Sequence, residues 1–111
     1  MAEFQDFDIE VQDERGSEVE SDVVTVTTAG VPQTFTPAST RIIQKAFINV
    51  PRVGPNSGTN SISRYILYSV DGGTTYHTLM VNESIAIPGN FTDLRIDSSH
   101  NGMKAEIEVR T

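Results

Sequence analysis

The sequence predicts an all-β protein, an antiparallel β-sandwich or jelly-roll-like body carrying an extended N-terminal arm. Three observations carry that reading. Runs of β-branched and alternating apolar residues succeed one another between Gly and Pro stops, with no helical period among them. A chain of 111 residues, 37% of them hydrophobic, fits one domain. Almost all of the net charge of −7 is gathered in the first 22 residues, which sets that stretch apart from the rest of the chain.

The arm comes first. Residues 1–22 hold nine acids and one base, Arg15, whereas the remaining residues hold six acids and seven bases. Such a segment repels nucleic acid and anionic lipid and favours a basic protein surface. Fully extended, it spans about 70 Å. It is not uniformly polar. Phe4, Phe7, Ile9 and Val11 are apolar, and Phe7 to Gln12 alternates strictly, with Asp8 and Glu10 on the other side, as a half-buried strand does. These six residues are the candidate partner-binding set, and the strand is expected to pair with its own body or with another chain. The division expected is an acidic arm and connecting segment over 1–36 and a sandwich body over 37–111.

The strands are then taken in order. Val23 to Thr28 is β-branched, which suits a pleated surface, and Ala29-Gly30 ends it. Pro32 and Pro37 interrupt pairing on either side of Phe35, an expected anchor. Ile42 to Val50 alternates and is expected to place Ile42, Ala46, Ile48 and Val50 on one face, with Pro51 as its stop. Residues 51–61 form a long polar loop. Tyr65 to Val70 is apolar on both faces, as a central strand is. Thr75 to Val81 returns from it, and Ser84 to Ile87 is a short strand closed by Pro88-Gly89-Asn90.

The last two strands are expected to form a hairpin. Asn101-Gly102 suits a two-residue type I′ turn, in which both central residues take positive φ. That turn would set His100 opposite Met103, Ser98 opposite Ala105, Ile96 opposite Ile107 and Leu94 opposite Val109. The other face would bring Arg95 opposite Glu108 and Asp97 opposite Glu106, the second a like-charge pair that a diagonal Lys104 would soften.

Several function classes find no footing. There is no Cys, so disulfides and thiolate metal sites are excluded. The N-terminus lacks the basic and apolar regions of a signal peptide, and no apolar run is long enough to cross a bilayer, so neither secretion nor a membrane is expected. The two glycosylation sequons, at Asn82 and Asn90, then read as chance. His77 and His100 lie in no catalytic or metal-binding motif, and the bases of the body are dispersed rather than clustered. No enzyme activity, cofactor, metal or nucleic-acid partner is expected. Tyr65, Tyr68 and Tyr76 leave a carbohydrate-binding module open as an alternative.

The most specific stretch is Ser69-Val70-Asp71-Gly72-Gly73-Thr74-Thr75-Tyr76. Its Ser-x-Asp-x-Gly-x-Thr-aromatic pattern resembles the Asp-box on β-hairpins of sialidases and other propellers. The reading is a structural turn. Asp71 accepts turn N–H groups, Gly72 and Gly73 supply positive φ, and Tyr76 packs beneath. Residues 41–111, through Tyr-Ile-Leu-Tyr-Ser-Val-Asp-Gly-Gly-Thr-Thr-Tyr at 65–76, Asp-Leu-Arg-Ile-Asp-Ser-Ser at 93–99 and Glu-Ile-Glu-Val at 106–109, resemble small β-rich virion proteins of tailed phages. That resemblance implies a capsid cement or decoration protein, assembled in the host cytoplasm. It would bind the major capsid protein or other virion proteins, as a homo-oligomer and without catalysis. A neck, tail or baseplate component is the alternative position.

Overall fold

A computed structural model describes residues 18–39, 41–52 and 63–111. Eight strands run through them: β1 (Val19–Val26), β2 (Gln33–Phe35), β3 (Ile43–Asn49), β4 (Tyr65–Ser69), β5 (His77–Met80), β6 (Ser84–Phe91), β7 (Leu94–Ser98) and β8 (Met103–Arg110). They form two four-stranded antiparallel sheets, ordered β1-β8-β3-β6 and β2-β7-β4-β5. Consecutive strands lie in different sheets everywhere except at β4–β5.

This is jelly-roll connectivity. If the chain is doubled into one long hairpin with β4 and β5 at its tip, then β3 pairs with β6, β2 with β7 and β1 with β8, as observed. Rolling that ribbon brings β8 beside β3 and β7 beside β4, and closes the two sheets over one core.

The core arises from the alternation. β8 reads buried at Met103, Ala105, Ile107 and Val109, and β7 at Leu94, Ile96 and Ser98. Across the sandwich these meet Val24, Val26, Ile43, Ala46, Ile48, Ile66 and Tyr68. Full burial of each large aliphatic side chain contributes roughly 1.5–3 kcal/mol. Phe35 anchors the short β2 in this core, beside a fully buried Pro37.

Four expectations need correction. First, β7 and β8 are not hairpin partners. β7 pairs with β2 and β4, and β8 with β1 and β3. Arg95 lies beside Thr34 and Ser69, not Glu108. Asp97 lies beside Leu67, while Glu106 lies between Val23 and Asn49. Of the two turn residues only Gly102 has positive φ (+82°), so the turn is not type I′. The matched apolar parity of the two strands is real. It arises because they face each other across the sandwich, where inward residues converge just as they would on one face of a hairpin.

Second, the sandwich takes in β1 and β2, which a boundary at residue 36 assigns to the arm. The acids there occupy edge positions and are engaged. Glu20 accepts hydrogen bonds from the N–H groups of Ala38 (2.9 Å) and Ser39 (3.3 Å), and Asp22 from that of Val23 (2.8 Å). Third, Ile43 rather than Ile42 enters the core. The β3–β6 register shifts between Ile43 and Lys45, which inverts the parity upstream and leaves Ile42 exposed. Fourth, β6 continues through Pro88 to Phe91. It is an edge strand, so the missing proline N–H breaks no ladder. The polar loop over 51–61 lies outside the described residues from 53 onward.

Candidate functional site

Three regions of the described residues carry polar or aromatic groups in close array. Two of them are closed upon themselves.

The first is the β4–β5 turn. Ser69, fully buried at the end of β4, donates its hydroxyl to Asp71 Oδ1 (2.7 Å) and accepts the N–H groups of Gly73 (3.0 Å) and Asp71 (3.3 Å). The same Asp71 oxygen accepts the Thr75 N–H (2.9 Å). The Ser69 hydroxyl and then the Thr75 N–H hold the Asp71 carboxyl below the usual carboxylate range. Gly72 and Gly73 have φ of +74° and +90°. A Cβ at Gly73 would stand 3.3 Å from both the Tyr76 hydroxyl and an Arg95 guanidinium nitrogen, so the turn is closed from below. Every acceptor named here has a partner within the turn, which makes it a structural device.

The second is the end of the sandwich where the β1–β2 and β7–β8 connections meet. Asn101 Oδ1 accepts the Ala29 N–H, Asp97 Oδ1 accepts the Gly30 N–H, and the Gly102 N–H donates to Val26 O (2.8, 2.8 and 2.7 Å). Ser99 Oγ lies 2.8 Å from His100 Nδ1 and accepts the Tyr65 N–H at 2.9 Å. Asp97 Oδ1 accepts the Gly30 and Ser98 N–H groups, and among the described residues no hydrogen bond joins Asp97 to His100. His77 is remote from this end and tilts against Tyr68, with ring centroids 5.3 Å apart.

The third region is open. The outer face of β1-β8-β3-β6 forms a shallow concavity of about 1040 Å³ across all four strands. The registers lay the outer face out in rows: Val23, Glu106, Asn49, Ser84; then Ser21, Glu108, Phe47, Ala86; then Val19, Arg110, Lys45, Pro88, of which the last row gives the concavity only Arg110. Phe47 stands at its centre, an aromatic ring on the solvent side of the sheet. Lys45 Nζ lies 5.7 Å and Arg110 Cζ 5.5 Å from its ring centroid. Val19 and Val23 add exposed apolar surface at the β1 edge, 54% and 53% accessible.

The arm joins the body at this corner. The Thr111 N–H donates to Glu18 O (2.9 Å), and Glu18 pairs with Arg41 at 3.5 Å. The candidate residues Phe4, Phe7, Asp8, Ile9, Glu10 and Val11 lie outside the described residues. The tyrosines do not form one stacking platform. Tyr68 is buried in the core, Tyr65 is on the opposite face of β4, and Tyr76 lies under the β4–β5 turn. Among the described residues no group of His, Asp and Glu side chains is placed to hold a metal ion, and no helix is long and apolar enough to cross a membrane.

The open face was missed by sequence reading. Its signal was present in Lys45-Ala46-Phe47, where a phenylalanine occupies the parity of a lysine and faces away from the core. Comparison with known proteins gave no match to a family model, to a curated protein or to a solved structure.

Proposed function

We propose that this chain is a non-enzymatic structural module that attaches to other protein surfaces, acting as a decoration or cement protein on the outside of a tailed-phage capsid. The observation that carries the attachment role is the contrast within the described residues. The turn and loop polar groups are closed by internal hydrogen bonds within the connections, while a broad four-strand face with a half-buried Phe47 at its centre faces solvent beside the point where the acidic segment joins, its Asn49 and Arg110 paired with its own Glu106 and Glu108. Aromatic and arginine side chains on a broad solvent-facing surface, here a half-buried Phe47 and an exposed Arg110, are groups enriched in protein–protein contacts.

The capsid assignment is finer. It is supported by the resemblance of residues 41–111 to small virion proteins and by the occurrence of the jelly roll among capsid domains, which is analogy of fold and not of site. An outer position suits the acids of the arm, which would repel packaged DNA. The major capsid protein is then the partner, and the virion the location.

Two measurements test this. Mass-spectrometric stoichiometry of virions from the encoding phage should return hundreds of copies; six or twelve copies would move the protein to the neck or tail, and none would remove it from the particle. Deletion of residues 1–17, which leaves every described strand intact, should abolish particle binding without loss of the folded body.

A further inference from the structure

We propose that Asp22 acts as a stop on the free edge of β1, keeping a second copy of the chain from adding there strand to strand. The inference stands apart from the virion reading, because it concerns contacts between copies only.

β1 is built like a template for another strand. It is eight residues long and, among the described residues, β8 is its one strand neighbour. The Thr111 N–H bonded to Glu18 O sets the alternation along it. Even-numbered residues of β1 turn their N–H and C=O groups to β8, and Val19, Ser21, Val23 and Thr25 turn theirs to the free edge. Val19 and Val23 add exposed apolar side chains. A long, valine-rich edge of this kind invites pairing with another chain.

Asp22 interrupts the template at its middle. Its Oδ1 accepts the Val23 N–H at 2.8 Å, which takes the donor that the carbonyl of an added strand would need. A carboxylate at that point also repels the incoming carbonyl oxygen. Antiparallel pairing of two β1 edges centred there would crowd Glu20 and Asp22 of one copy against those of the other.

The remaining edges carry stops of their own. Tyr65 turns its backbone groups to Ser99, so its partner Met80 on β5 points its N–H outward, where Glu83 Oε1 accepts it at 2.8 Å. β6 contains Pro88, which has no N–H to offer, and β2 has only three residues. β1 has neither a proline nor shortness to protect it, which leaves the task to Asp22.

Hydrogen exchange and light scattering of the full chain test the idea. In the unaltered chain the Val23 amide should exchange more slowly than those of Ser21 and Thr25, and none of the three should slow as concentration rises. Asp22→Ala should free the Val23 amide in dilute solution. It should also associate roughly tenfold or more strongly than the unaltered chain, with all three amides slowing as concentration rises. Asp22→Asn keeps an oxygen in the same place and should lie between the two. Circular dichroism should show both variants folded, since Asp22 is exposed. Concentration-dependent slowing at these amides in the unaltered chain overturns the proposal, because the edge is then open already. So does an Asp22→Ala chain that associates no more than the unaltered one, or that associates with these amides unchanged. Association of Asp22→Asn as strong as that of Asp22→Ala overturns it too.

Discussion

Two glycine-bearing turns of this molecule look alike in sequence and do opposite things. Ser69–Tyr76 returns the chain within one sheet, pairing β4 with β5. Ser99–Gly102 carries it from one sheet to the other, so that β7 and β8 never pair. The difference lies in where each turn's hydrogen bonds go. Those of the first close internally, on Ser69 and Asp71. Those of the second reach across to the β1–β2 connection, through Asn101 to Ala29, Asp97 to Gly30 and Gly102 to Val26. A turn satisfied within itself makes a hairpin; a turn satisfied by a distant loop makes a corner.

The sharpest way to break this comparison is by cross-linking. Cysteines at Val23 and Glu106, neighbours across β1 and β8, should oxidise to an intramolecular disulfide. Cysteines at Arg95 and Glu108, opposite only in a β7–β8 hairpin, should stay reduced. The reverse pattern by mass spectrometry would restore the hairpin.

Ser69→Ala comes next. It strips the fully buried hydroxyl that accepts Gly73 N–H, and should destabilise the domain by about 1–3 kcal/mol in urea denaturation. Asp97→Ala should cost less, about 1 kcal/mol, because the Gly30 N–H it releases is exposed to water. Its diagnostic effect is local: hydrogen exchange should quicken at Ala29 and Gly30 on the β1–β2 connection, and not on β4–β5. Exchange that quickens on both would mean the two turns are coupled.

The smallest effect is one of pH. The folded-state pKa of Asp71 lies below its unfolded value, so its carboxylate contributes stability that is fully present above the ordinary carboxylate range and is lost as pH falls below that range toward the lowered folded pKa. Asp71→Asn should flatten that part of the acid limb of a melting-temperature profile.

Much of the fold was legible because alternation is a local property. The inward sets of β7 and β8 and the core role of Phe35 can be read directly from the order of side chains. The position of Ile42 could not be read so, because one bulge inverts parity and is itself a matter of pairing. The acids at Glu20 and Asp22 were assigned to an arm apart from the body; only the edge position of β1 and the N–H groups of Val23, Ala38 and Ser39 show them engaged within it. The open face was readable in principle from Phe47, but the flanking of its ring by two cations was not, because Arg110 lies far from Lys45 in sequence and beside it in the sheet.

What the sequence determined by itself was the class of structure: strands of period two, turn chemistry at Asp71 to Gly73, and a segregated negative charge. Which strands became neighbours was decided only in three dimensions. The physical reason is that an inward-facing residue is buried equally well whether the strand carrying its contact lies beside it or across the core. Burial fixes the face each strand presents, and only the closing of backbone hydrogen bonds around the rolled ribbon fixes its partner.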